Sequence, residues 1–315
     1  MKLIKDQLNN TLDKFTYDGL NNPYKGKVRD VYDLGENLLM ITSDRVSAFD
    51  RVLTTIPYKG EILNRIANFW FDKTSDAVPN HVKDIPDPQV IIARKTKPLP
   101  VEVIVRGYIT GSLWRDYQAG KHTRYGLPFP QDLKQDQKFD SPILTPTTKA
   151  EYGFHDEAIS RNEIVSGIVD PDVYAKAEEY AMILFSEGQK WAKEKGLILV
   201  DTKYEFGLID DELIVMDEIH TPDSSRYWIA DEYEERFEKG ESQKMLDKEN
   251  IRKWLLERGF SGDGEPPEIT DDIRIELSEK YIQLHNQLTG LSFEPEIESV
   301  SDRIRSNLNK SGYLS

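Results

Sequence analysis

Apolar positions along this chain recur at two periods, and each predicts a different element. From Leu197 an apolar run, Leu197-Ile198-Leu199-Val200, passes into Asp201, Lys203 and Glu205 at alternate positions. Alternate residues of a strand point to one face, so these three charges share a face. Gly207-Leu208-Ile209 extends the strand, Asp210-Asp211-Glu212 reads as a turn, and Leu213-Ile214-Val215-Met216 reads as the return strand. A three-residue loop places Glu205 opposite Asp217. Similar runs predict paired strands over residues 28–32 and 37–42, and further strands over 90–95 and 101–106.

The helical period appears elsewhere. Ile62, Ile66, Phe69 and Trp70 predict a helix over residues 61–73. Ser160-Arg161-Asn162-Glu163 is a capping box. Asp170-Pro171-Asp172 opens a strong helix with Asp170 as N-cap, since proline suits the first helical position. Ala177, Ala181, Leu184, Phe185, Gly188 and Trp191 then fall on one face, and Gly196 ends the helix. Residues 247–258 and 270–289 predict two more helices, ended by Gly259 and Gly290. Residues 117–150 are polar, with several Gly and Pro, and read as a long loop or excursion. Lys97-Pro98-Leu99-Pro100 reads as a hinge between two α+β lobes. The first lobe, residues 1–97, carries a Gly/Lys loop. The second, residues 98–315, carries the acidic hairpin and the terminal helices.

Composition narrows the class. The chain has 315 residues, 38% hydrophobic and 31% charged, enough for real cores in one large or two modest units. No uncharged apolar run approaches the roughly 20 residues a membrane span needs. The N-terminal residues lack a signal-peptide apolar core and cysteine is absent, so a cytoplasmic location is expected. A formal charge of −15 argues against a broad nucleic-acid or anionic-membrane surface. It leaves room for a small anionic ligand in a local basic pocket. The five histidines show no zinc-like spacing. Nothing calls for an obligate protein partner, and a monomer is compatible with the sequence.

Several polar stretches could carry chemistry. If Glu205 and Asp217 face each other they repel, and a hard divalent ion such as Mg²⁺ would relieve that. A solvated hairpin face accounts for the spacing equally well. Lys25-Gly26-Lys27-Val28-Arg29-Asp30 combines a glycine with three cations, which suits phosphate, but it matches neither a Walker A loop nor a dinucleotide fingerprint. Ser43-Asp44-Arg45-Val46-Ser47 packs hydroxyls and charges into one segment. Lys59 and Gly60 precede the first long helix, whose N-terminus attracts anions. Arg106 ends a strand that leaves through Gly107, Gly111 and Ser112, and Pro222-Asp223-Ser224-Ser225-Arg226 adds a further arginine. Each alone could be an ordinary turn. Together they favour a site for a polyanion.

The chain resembles the SAICAR synthetase family. Pro100-Val101-Glu102-Val103-Ile104-Val105-Arg106 followed by Thr110-Gly111-Ser112 is similar to one signature of that family. Leu199-Val200-Asp201-Thr202-Lys203-Tyr204-Glu205-Phe206-Gly207 is similar to the other. The Gly26 to Tyr32 stretch, Ser43-Asp44-Arg45, Asp217-Glu218 and Asp223-Ser224-Ser225-Arg226 match in family order, over about residues 20 to 290. Thr145-Pro146-Thr147-Thr148-Lys149 with His155-Asp156 resembles the longer family form.

The resemblance implies an α+β, two-lobed fold related to ATP-grasp and kinase-like nucleotide-binding folds, with C-terminal helices. It implies an ATP-dependent ligase joining L-aspartate to carboxyaminoimidazole ribonucleotide, giving SAICAR, ADP and phosphate through an acyl phosphate. In that reading Gly26, Lys27, Val28 and Arg29 cover the phosphates of ATP. Arg94, Lys95 and Leu99 meet adenine, mostly through backbone. Glu205 and Asp217 hold Mg²⁺. Arg106, Ser112, Asp223 and Arg226 hold the ribonucleotide, and Asp44, Arg45, Ser47 and Lys59 help place the ribonucleotide or aspartate. Lys27, Lys203 and Arg106 are the candidate catalytic residues, and residues 149–156 the candidate cover that excludes water. Two other classes remain as alternatives: a kinase-like small-molecule phosphotransferase and a non-catalytic nucleotide-binding module. Protein-kinase signatures are absent, and neither the acidic pair nor the cationic loop is lost.

Overall fold

Alternation in the first hundred residues becomes an antiparallel sheet in the computed structural model, which describes residues 2–49, 51–149 and 156–314. A short helix, α1 (Lys2–Gln7), precedes β1 (Tyr24–Lys25), β2 (Arg29–Asp33) and β3 (Asn37–Thr42). β2 and β3 pair with Val31 opposite Met40 and Asp33 opposite Leu38, so the chain reverses at 34–37, where Leu34 N donates to Asn37 O. A separate hairpin of β4 (Arg45–Ala48) and β5 (Arg51–Thr55) leads into α2 (Lys59–Lys73). β6 (Val82–Asp87) and β7 (Val90–Arg94) complete the first sheet, ordered β1-β2-β3-β7-β6.

The second sheet is built on two long strands. β8 (Lys97–Tyr108) is followed by α3 (Gly111–Gln118), β9 (Lys138–Leu144), β10 (Thr147–Thr148), α4 (Arg161–Val165) and α5 (Pro171–Glu194). Then come β11 (Leu197–Ile209), β12 (Glu212–Met216) and β13 (Ser225–Ile229). The order is β10-β8-β11-β12, with β9 beside β8 and β13 beside β11. Four helices end the chain: α6 (Tyr233–Lys239), α7 (Glu249–Leu256), α8 (Asp271–Thr289) and α9 (Val300–Lys310). Among the described residues, no helix is long and apolar enough to cross a membrane.

The predicted caps form. Asp170 accepts from the N–H groups of Asp172 and Val173, and Ser160 and Glu163 make a reciprocal capping box. On α5, Ala177, Ala181, Leu184 and Phe185 are fully buried against β11 and β8. Each large apolar side chain so buried contributes roughly 1.5–3 kcal/mol. A main core joins this layer to α2 and α8. A second cluster sits under the first sheet, where Val300, Ile304 and Leu308 of α9 pack on Leu39, Ile41 and Ile92. The last helix therefore stands against the first sheet.

Three expectations change. The loop between β11 and β12 has two residues, with Ile209 opposite Glu212, so Glu205 pairs with Met216 instead of Asp217. Asp210 and Asp211 both take positive φ, +48° and +66°, the pattern of a two-residue hairpin turn whose twist suits the strands. The proline stretch is no hinge loop: β8 begins at Lys97 and runs through Pro98 and Pro100, leaving only Lys95 and Thr96 between β7 and β8. Proline, extended but lacking an N–H, is tolerated where a strand edge is uncovered. Here β10 begins its pairing only at Val101 and Glu102. Finally, residues 117–149 hold ordered structure, including β9, β10 and a helical turn at His122–Tyr125. Ile109, Leu113 and Tyr125 give this excursion a small core of its own. Residues 150–155, the centre of the expected cover, lie outside the described residues.

Candidate active site

A cleft of about 490 Å³ opens where the β1–β2 turn overhangs the second sheet. Its floor is β8 and β11, through Glu102, Ile104, Arg106, Asp201, Lys203 and Glu205. Gly26, Lys27, Val28 and Arg29 line one wall, and Asp217 to Arg226 another. Eight Lys and Arg side chains meet nine Asp and Glu in this lining, although the whole chain carries −15. The lining is thus close to neutral in a strongly acidic chain, which leaves its cations available to a bound anion.

The alternating charges of β11 share the floor as their period demands. Lys203 Nζ lies 2.6 Å from Glu102 Oε1 and 2.9 Å from Glu205 Oε1. Lys149, from the end of β10, also pairs with Glu205. Burial works against the Glu205 carboxylate, but Lys203 and Lys149 outweigh it and hold its pKa below the usual range. Asp217 stands one residue past β12 at φ +66° and meets Arg29 Nη1 at 2.8 Å. Burial, Glu205 and Glu218 raise the Asp217 pKa despite Arg29. Glu218 also binds Arg29, at 3.0 Å. Glu205 and Asp217 thus each have a cation of their own, and the repulsion expected to call for a divalent ion is already offset by protein side chains. The Glu205 charge still acts on Asp217, and both offer only oxygen donors, the set a hard divalent cation prefers. Among the described residues no group of three or more His, Cys, Asp or Glu is arranged to hold a metal.

At the other end of the floor, Asp201 binds two arginines. Arg106 Nη1 lies 3.0 Å and Arg226 Nη1 2.5 Å from Asp201 Oδ2. Arg106 also donates to Thr145 Oγ1 at 2.7 Å and to Ser112 Oγ at 3.4 Å. Gly111, at φ +56°, is required here, because a Cβ would collide with the Arg226 guanidinium. Arg226 further meets Glu249 at 3.3 Å, and Glu249 pairs with Arg252 at 2.5 Å. Lys248, Glu249 and Arg252 come from the start of α7 and complete this end of the cleft. The sequence reading missed these three. A Lys and an Arg four apart in a first helical turn was the available signal, and only the fold brings it beside Arg226.

Other expected contacts are directed elsewhere. Ser47 lines the cleft, as do Ser112 and Asp223. Asp44 is fully buried and caps α2, accepting from Gly60 N at 2.8 Å and Leu12 N at 2.7 Å. Burial pushes its pKa up to about 6. The helix N-terminus that could draw a ligand anion thus holds the protein's own carboxylate. Gly60 must be glycine, since a Cβ would strike the carbonyls of Thr42 and Ser43. Lys59 is wholly buried and binds Asp223 at 2.8 Å. Arg45 binds backbone carbonyls and Asp30, outside the cleft lining. Arg94 donates to Asn80 O at 2.6 Å, Lys95 pairs with Asp33 at the surface, and Leu99 is buried in the main core. None of these last three lines the cleft, but the adjoining Thr96 touches Met216, the residue before Asp217.

The family model for SAICAR synthetase matches residues 22–267. A phosphoribosylaminoimidazole-succinocarboxamide synthase of Bacteroides fragilis is 50% identical over 300 residues, 93% of this chain and 96% of that one. Its namesake in Cytophaga hutchinsonii is 48% identical over 302 residues, 94% and 97% of the two chains. Among solved structures, the SAICAR-synthase of Saccharomyces cerevisiae complexed with SAICAR superposes with a TM-score of 0.80 at 37% identity, covering 90% of this chain and 100% of that one.

Proposed function

The chain belongs to the SAICAR synthetase family, and from that premise we propose how its cleft works as an ATP-dependent ligase of purine synthesis, joining L-aspartate to carboxyaminoimidazole ribonucleotide. The observation that carries the proposal is one continuous cleft with two differently built ends. One has lysines and an acidic pair beneath the Gly26–Arg29 turn, and the other has two arginines sharing Asp201.

A carboxylate does not condense with an amine at neutral pH without a leaving group. Transfer of the terminal phosphoryl group of ATP to the 4-carboxylate of the ribonucleotide supplies one: a carboxylate oxygen bonds to phosphorus as the bond to ADP breaks. The aspartate amine then attacks the acyl carbon, phosphate leaves, and the nitrogen gives up a proton. Such transfer depends mainly on positioning and charge neutralisation. Gly26, Lys27, Val28 and Arg29 are assigned to the phosphates, with Lys203 adding charge from the floor. Lys149, beside Glu205, joins them. Glu205 and Asp217 would hold Mg²⁺, whose charge when bound offsets that of the phosphates. Arg106, Ser112 and Arg226 are assigned to the ribonucleotide, with Lys248 and Arg252 extending the same cationic end. Asp223 and Ser47 are assigned to the ribonucleotide or aspartate. Adenine is assigned to the backbone of residues 94–99, next to Met216.

We divide the chain into lobes at residue 97, at the start of β8, with α9 returning to the first lobe. The substrates are small molecules, and we place the activity in the cytoplasm. The test is ADP release by the purified protein. It should require aspartate and ribonucleotide together, with the succinocarboxamide product seen by mass. ADP release that needs only one of them, with phosphate retained on a hydroxyl, would replace the ligase by a kinase.

A further inference from the structure

Arg45 was expected at a substrate, but its donors are directed to the protein itself. It is 7% exposed and absent from the cleft lining. A guanidinium has five N–H donors. Arg45 Nε donates to Lys27 O at 3.2 Å. Nη2 donates to Gly26 O at 3.2 Å and to Asp30 Oδ1 at 2.8 Å. Nη1 donates to Asp13 O and, at 3.5 Å, to Asp30 Oδ2. Five bonds use all five donors, and none remains for a ligand.

Two of those acceptors are consecutive carbonyls of the β1–β2 turn. The third in the row, Val28 O, accepts from Ser43 Oγ at 2.5 Å and Ser43 N at 2.8 Å. Ser43 and Arg45 thus hold the carbonyls of Gly26, Lys27 and Val28 together. In a planar trans peptide the next N–H points opposite to the carbonyl. Fixing these three carbonyls therefore turns the N–H groups of Lys27, Val28 and Arg29 away from the residues that hold them. Successive N–H groups aimed one way make an anion-binding concavity.

We propose that Arg45, with Ser43, is a positioning residue that locks the Gly26–Val28 carbonyls and so presents the turn's N–H groups and the Lys27 side chain to the phosphates of the nucleotide. Asp30 completes the brace: it fixes the Arg45 guanidinium and accepts from Phe15 N at 3.4 Å. The inference rests on the assignment of the β1–β2 turn to nucleotide phosphates.

The test uses the full chain and four proteins: the unaltered one, Arg45→Lys, Ser43→Ala and Lys27→Ala. Calorimetry gives the Kd of ADP with Mg²⁺ and of the ribonucleotide, and thermal unfolding reports the fold. Lysine keeps the charge beside Asp30 but cannot bridge three carbonyls from one compact head. Arg45→Lys should raise the ADP Kd about 10-fold or more and move the ribonucleotide Kd by less than about 2-fold. Ser43→Ala keeps its backbone bond to Val28 and should weaken ADP by about 3-fold, which decides the matter if Arg45→Lys does not fold. Wild-type ADP affinity in the folded variants would overturn the proposal. So would equal loss for both ligands, or loss for the ribonucleotide alone. Lys27→Ala separates the two levels: if it weakens ADP while the Ser43 and Arg45 variants do not, only the brace is wrong. If Lys27→Ala leaves ADP binding unchanged, the nucleotide assignment of the turn falls, and the brace with it.

Discussion

Asp217 sits in the left-handed backbone region, which Asp and Asn enter at lower cost than other side chains. Asp217→Asn keeps that preference and the side-chain shape while removing the charge, so the fold should survive. Turnover at saturating Mg²⁺ should fall on the order of 10²–10³-fold, the usual loss for one electrostatic contact to a transition state. Near-normal turnover would remove Asp217 from the phosphate chemistry. At the opposite end, Arg226→Ala should raise the ribonucleotide KM about 10-fold or more and leave the ATP KM nearly unchanged. A defect confined to ATP would move Arg226 to the nucleotide end. The charges of these residues were legible in the sequence, and the alternation of Asp201, Lys203 and Glu205 placed them on one face. Direction was not. Asp44, Arg45 and Lys59 look like ligand contacts because they are polar and clustered, yet each is occupied by an internal partner. A sequence records that a side chain can donate or accept, and the fold decides to whom.

Elements followed their local signals where those signals were complete. Asp170 with Pro171 began α5, and its apolar stripe reached the core. The hairpin of β11 and β12 was legible as two strands but not in register, because a two- and a three-residue loop read alike in Asp210-Asp211-Glu212. One residue of slip exchanges the faces of the return strand. The observed turn makes its own prediction. Asp211→Gly removes the side chain from a left-handed position and should stabilise the chain by about 0.5–1 kcal/mol, with turnover unchanged. A lower Tm would contradict the two-residue turn. β8 shows a different limit: two prolines suggested a break, and the uncovered edge before Val101 let the strand run through them. α9 was not read from the sequence at all: Val300, Ile304 and Leu308 stand at helical spacing, but their partner is the first sheet, almost the whole chain away.

At the scale of the molecule, the cleft draws on residues from Tyr24 to Arg252, and no local pattern announces that convergence. Long-range ion pairs tie the parts together. Arg303 of α9 binds Glu61 of α2 at 2.9 Å and Asp87 of β6 at 3.1 Å. Lys59 of α2 reaches Asp223, which lines the cleft. Family resemblance supplied the substrates, and the cleft has two cationic ends, which we assign one to the nucleotide and one to the ribonucleotide. In the proposed reaction, phosphate passes from ATP to the ribonucleotide carboxylate before the amide forms. The most direct measurement uses ribonucleotide labelled with ¹⁸O in its 4-carboxylate and analyses the released phosphate by mass. One label should appear in that phosphate for each SAICAR formed. Unlabelled phosphate, as direct attack by aspartate or activation of aspartate's own carboxylate would give, contradicts the proposed reaction.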